Sequence, residues 1–178
     1  FTGESGGYPR FMASPDINTE DFMAAVDFLS VREDVDPDKI GIIGICGWGG
    51  MALNAAALDT RIKATVASTM YDMTRVAAKG YNDATDANAR YEMKKQMNEA
   101  RWEVSKNDYA TLLPANNLRG AQITAETPQF IKEYSDFYTT ERGFHKRAVN
   151  SNPDGSWTVT GMLPLINMPI LQYASEMR

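Results

Sequence analysis

The stretch Lys39-Ile40-Gly41-Ile42-Ile43-Gly44-Ile45-Cys46-Gly47-Trp48-Gly49-Gly50 decides how the rest of the chain is read. Residues 40–45 are apolar at every non-glycine position and do not alternate. That pattern predicts a short buried strand in a parallel sheet with helices over both faces. A glycine-punctuated turn follows, with Cys46 at its apex, and residues 51–58 are a run of helix formers. Strand, sharp turn, nucleophile-capable side chain and helix come in the order of a nucleophile elbow. Such a turn lifts the side chain above the sheet edge, and the N–H groups of the new helix face any negative charge that forms beside it.

Working outward, Asp59-Thr60-Arg61 is a short connection, and residues 62–68 read as the next strand. Strand, helix and strand make a βαβ unit, which predicts a right-handed crossover and a parallel pair. On the other side, Val35-Asp36-Pro37-Asp38 is a turn, with proline fixing the backbone before the strand. Ahead of it lies a helix whose N-cap reads as Asn18, with Glu20 and Asp21 in its first turn. Ile17 and Phe22 occupy the two positions of a hydrophobic staple. Phe22, Ala25, Val26 and Leu29 recur at helical spacing and mark its buried face. Ser14-Pro15-Asp16 reads as loop, as does the glycine-rich start at residues 1–7.

The character changes at Tyr71. Residues 72–155 are polar and lack strong strand signals, with helices expected at 87–106 and 128–137. Methionine and aromatic residues are dense in both helices, which fits ordinary gap-filling packing better than a ligand lining. Residues 150–155 are a turn, 157–160 a short strand, and the final segment is expected to be helical after Pro169.

Composition sets outer bounds. The chain has 178 residues, 43% of them hydrophobic and 10% aromatic, enough for one packed domain plus an insertion. A net charge of −5 gives no electrostatic case for nucleic acid or an anionic membrane as partner. No apolar run approaches the roughly 20 residues that span a bilayer. A single cysteine excludes an intramolecular disulfide and points to a reducing, cytoplasmic setting. One Cys, one His and scattered carboxylates lack metal-ligand spacing. The glycines are not a phosphate loop either, because its lysine and Ser/Thr are absent, so no cofactor is expected.

With these residues in place, residues 36–46 resemble the elbow approach of α/β-hydrolases, in the dienelactone hydrolase-like and prolyl-peptidase-like branches. Gly3-Glu4-Ser5-Gly6-Gly7 resembles the G-x-S-x-G loop after an earlier core strand of that superfamily. The resemblance implies an α/β fold: part of a hydrolase parallel sheet flanked by helices, with a mostly helical lid insertion. It divides the chain into a core portion at 1–71, a lid at 72–160 and a helix returning to the core at 161–178. One local departure is Trp48, where the pattern small-x-nucleophile-x-small calls for a small residue. Its ring either shifts the helix or points to the pocket mouth. Another departure is that the acid and histidine of this fold follow on later strands, which implies an internal piece of a hydrolase of roughly 250–300 residues. The unpaired sheet edges of such a piece predict homo-oligomerisation.

The resemblance makes Cys46 the nucleophile and the Gly47 N–H an oxyanion donor, acting on a small ester or lactone through an acyl–cysteine. Trp48 and Tyr71 are expected at the pocket. Asp72, just past the strand after the elbow, is a candidate acid. His145 is the chain's only imidazole and a candidate base, although Gly143-Phe144-His145-Lys146-Arg147 reads more readily as a surface segment. Two alternatives stay open beside this: an inert, packed cysteine, and a hydrolase-like fold used for binding or assembly without catalysis.

Overall fold

The computed structural model describes residues 6–9, 12–106, 123–145, 158 and 161–178. The expected glycine loop at residues 3–5, the turn at 150–155 and most of the strand at 157–160 lie outside them. The chain forms two compact units, residues 1–13 with 95–162 and residues 14–94 with 163–178.

The second unit carries the elbow sequence. Helix α1 (Pro15–Ser30) starts four residues earlier than an N-cap at Asn18 predicts. Pro15 at the first helical position wins, because its missing N–H is one that a helix start leaves unpaired anyway. Ser14 is the N-cap, and its N–H donates to the Asn18 side-chain oxygen at 3.0 Å. Ile17 and Phe22 therefore do not form a staple. The buried stripe runs through Pro15, Thr19, Phe22, Val26 and Leu29, while Ala25 is exposed.

A 3-10 turn at Pro37–Lys39, capped by the Asp36 carboxylate, feeds strand β1 (Gly41–Ile45). Helix α2 (Trp48–Leu58) follows, then strand β2 (Ala64–Ser68). β1 and β2 pair in parallel, with Ile43 opposite Val66 and Ile45 opposite Ser68. Val26, Ile40, Ala55 and Ile62 form the buried cluster, with Phe22, Leu29 and Ile42 packed against it. Each large aliphatic side chain buried there contributes roughly 1.5–3 kcal/mol. Polar groups lock the same layer. Asn54 donates to the Thr19 hydroxyl at 2.7 Å, and Arg61 bridges Asp59 at the end of α2 to Asp27 of α1.

The other face of the pair differs from expectation. Ile43, Ile45 and Val66 are 71%, 60% and 53% exposed, so among the described residues helices cover one face only. The apolar residues of β1 split by strand alternation, Ile42 and Gly44 inward and Ile43 and Ile45 outward. A non-alternating run says that both faces favour burial; it does not say that both are covered.

After β2 come α3 (Met73–Lys79), a 3-10 turn at Tyr81–Asp83 and α4 (Ala87–Lys106). The boundary between the two units falls inside α4. In the first unit, helix α5 (Gln129–Tyr138) has no fully buried residue. Its Phe130, Tyr134, Phe137 and Tyr138 stack edge to face with centroids 5.0–6.1 Å apart. Helix α6 (Met162–Asn167) lies before Pro169, not after it as expected, and the chain then turns through Ala174–Glu176. Among the described residues no helix is long and apolar enough to cross a membrane.

Candidate active site

The junction of β1 and α2 is built from backbone contacts that only glycine permits. A methyl group added at Gly44 would stand 2.5 Å from the Trp48 carbonyl oxygen, 2.6 Å from Ala52 Cβ and 2.7 Å from Gly49 Cα. One at Gly49 would stand 2.5 Å from Met70 Cβ. Strand and helix thus meet at Gly44, Gly49 and Ala52, and the helix-side glycine is three residues after Cys46, not two. This resolves Trp48. Its ring leaves the junction toward α1 and meets Phe22 edge to face, centroids 6.2 Å apart, so the helix has no need to shift.

Cys46 sits between these contacts at φ 60°, a left-handed conformation that costs an L-residue roughly 1–2 kcal/mol. Tertiary bonds hold it there. Its N–H donates to the Ser68 carbonyl of β2 at 3.0 Å, and its carbonyl accepts the Gly49 N–H at 3.0 Å. The thiol is half-buried and free. Gly47 is the N-cap of α2, so its N–H belongs to the set that a helix start leaves unpaired. The arrangement places a free thiol one residue from a backbone N–H at a helix start, a pairing suited to covalent acyl chemistry.

The loop after β2 closes over this point. A methyl group at Gly47 would meet Met73 Cγ and Sδ at 2.6 Å and the Tyr71 hydroxyl at 3.2 Å. Tyr71, expected at the pocket, therefore stands beside Gly47, while Met73 carried no sequence signal. Neither did Thr69, which follows β2 at φ 47° and comes directly after Ser68, the residue whose carbonyl accepts the Cys46 N–H. A β-branched residue in that region is an outlier that only tertiary context explains. Sequence propensity runs against it.

Asp72 has a structural role in the loop after β2. One oxygen of its carboxylate accepts the N–H groups of Thr74 and Arg75, each at 2.9 Å, and the Thr74 hydroxyl at 2.6 Å. It caps α3, a role that the sequence D-x-T-R was able to signal. His145 is exposed and falls in the first unit, whereas Cys46, Gly47, Tyr71 and Asp72 fall in the second. Among the described residues no group of His, Cys, Asp and Glu is placed to hold a metal ion.

Comparison with known proteins gives these observations a setting. Residues 11–79 match the dienelactone hydrolase family, a span that contains α1, β1, Cys46, α2 and β2. The uncharacterized protein PA2218 of Pseudomonas aeruginosa is 52% identical over 177 residues, 99% of this chain and 46% of that protein. Its crystal structure has a TM-score of 0.87, covering 99% of this chain and 53% of the other. The thiohydrolase aneE of Aspergillus aculeatus is 39% identical over 61 residues, 34% of this chain and 19% of that one. The structure of DcsB in complex with its substrate analogue has a TM-score of 0.64 at 21% identity, over 98% of this chain and 54% of the other, which is a likeness of fold. The chain spans about half the length of PA2218. Family match and structural neighbours agree on an α/β-hydrolase-like fold.

Proposed function

We propose, from the dienelactone hydrolase-family match over residues 11–79, that the protein is an acyl hydrolase with Cys46 as its nucleophile. The observation that carries this reading is the backbone of Cys46. A non-glycine residue held at φ 60° between a parallel strand and a helix needs a reason, and strained residues of this kind cluster at functional sites. The Cys46 thiolate attacks an acyl carbonyl carbon, forming an S–C bond while the C=O electron pair moves onto oxygen. The Gly47 N–H donates to that oxyanion. Collapse re-forms the carbonyl and expels the alkoxide, which takes up a proton, and water then hydrolyses the acyl–cysteine. The substrate class is an ester or lactone. The thiohydrolase among the relatives extends it to thioesters, whose thiolate leaves more easily. Tyr71 and Met73 line the approach to Gly47.

The test is covalent trapping. Incubation with p-nitrophenyl acetate is expected to place one acetyl group on Cys46, read by intact mass, and none on Cys46→Ala. Iodoacetamide is expected to label Cys46 in the folded chain within minutes. Labelling that appears only on denaturation would overturn the nucleophile and leave a hydrolase-like fold used for binding or assembly.

A further inference from the structure

Beneath α3 lies a cleft of about 420 Å³ that the elbow chemistry does not use. It falls within the second unit, and Arg75, Lys79 and Arg90 reach it from two helices, with Asp72, Thr74 and Asn167 completing its polar lining. We infer that this cleft is a binding subsite for the phosphate group of a small phosphorylated molecule.

The cations are arranged unequally. Arg75 is ion-paired with Asp83 through both ends of its guanidinium, which fixes its position and takes up much of its charge. Arg90 is held by one nitrogen, which donates to the Ala78 carbonyl at 3.1 Å and the Thr85 carbonyl at 3.3 Å. Backbone carbonyls anchor that guanidinium without neutralising it. Lys79 has no salt bridge among the described residues. The opposing charge in the lining is Asp72, one of whose carboxylate oxygens accepts three hydrogen bonds from α3. Three cations against the carboxylates of Asp72 and Asp83 leave one positive charge in surplus at the wall, and Arg90 is preorganised there.

Size and geometry select the ligand. A volume of this order suits a small organic molecule rather than a bare ion. A guanidinium fork matches phosphate oxygens bidentately, and the Lys79 ammonium serves a further oxygen as a point charge. The Asn167 amide adds a neutral donor. Nothing here depends on the role of Cys46, so this subsite and the nucleophile can fail separately.

The experiment is calorimetric titration of the full chain with inorganic phosphate at low salt. Saturable binding at one site in the millimolar range is expected. Lys79→Gln is expected to weaken it about tenfold, and Arg90→Lys, which keeps the charge and loses the fork, about threefold. Lys63→Gln removes the same charge from an exposed lysine bonded to the Thr60 carbonyl, and is expected to change the affinity by less than about twofold. Unchanged melting curves confirm that each variant folds. Non-saturable uptake, an equal loss in Lys63→Gln, or acetate binding as tightly as phosphate would each overturn the assignment.

Discussion

Gly44 and Gly143 both leave no room for a methyl group, yet they belong to different kinds of structure. At Gly143 the nearest obstacle is closer, 2.3 Å to the Phe137 ring against 2.5 Å to the Trp48 carbonyl at Gly44. Distance alone would rank Gly143 as the more demanding site. What decides is whether the obstacle can move. The atoms around Gly44 are the Trp48 carbonyl, Gly49 Cα and Ala52 Cβ, all fixed by the path of α2. The atoms around Gly143 belong to one aromatic ring, a side chain 39% exposed and not part of the main chain. The β1–α2 junction is packed through its main chain, and the α5 region through half-exposed rings.

The largest expected effect breaks the first half of that comparison. Gly44→Ala must push α2 away from β1, and overpacking against backbone is expected to cost about 3 kcal/mol or more. A urea melt measures it. Because Cys46 depends on the same junction for its φ, iodoacetamide labelling in the surviving folded fraction should slow as well. A cost below about 1 kcal/mol would mean that strand and helix separate easily and that Cys46 is not held by them.

This division also explains what was legible in the sequence. Glycines at 41, 44, 47, 49 and 50 around one cysteine have few solutions other than a tight strand–helix junction, so β1, α2 and β2 were readable from pattern. Helix α4 was readable from its length alone. The start of α1 was missed because Asn18 looks like a cap in isolation, and only Ser14 followed by Pro15 outranks it. The capping role of Asp72 went unread because attention fell on its position after β2, while the hydroxyl and N–H groups that bond it come from the next helix turn. Thr69 and Met73 were beyond reach. Their place beside the elbow depends on how the loop after β2 folds back over Gly47, and no local propensity encodes that.

A second test addresses the polar lock on the same unit. Asp59 is 5% exposed at the end of α2 and accepts both the side chain and the N–H of Arg61. The Arg61 guanidinium holds its carboxyl below the usual carboxylate range. A carboxyl lowered in the folded state binds protons preferentially in the unfolded chain, so its stabilisation is present above the unfolded pKa of about 3.9 and is lost as pH falls further. Asp59→Asn is expected to cost about 2 kcal/mol at pH 7 and to flatten the loss of stability below about pH 4. An acid limb as steep as in the parent would assign it to other carboxylates, Asp83 beside Arg75 among them.

A smaller effect is expected at the α1–α2 contact. The buried Thr19 hydroxyl donates to the Pro15 carbonyl and accepts from Asn54. Thr19→Val keeps the shape and leaves the Asn54 amide short of a partner, which is expected to cost about 1 kcal/mol in the same urea melt. Adding Asn54→Ala should recover part of that loss, since it removes the stranded group.

The smallest effect returns to Gly143. An alanine there meets only the Phe137 ring, and the glycine has an ordinary negative φ, so no backbone strain opposes the change. Displacing the ring weakens its edge contact with Tyr138, centroids 5.0 Å apart, and its contact with the Arg142 guanidinium at 5.6 Å. Exposed contacts of these kinds are worth about 0.5–1 kcal/mol. Against that, replacing glycine restricts the unfolded chain and stabilises by about 0.4–1 kcal/mol. The two nearly cancel, and Gly143→Ala is expected within about 0.5 kcal/mol of the parent. A loss above about 2 kcal/mol would show that Phe137 is held as firmly as the main chain at Gly44, and the two regions would then differ in composition but not in rigidity.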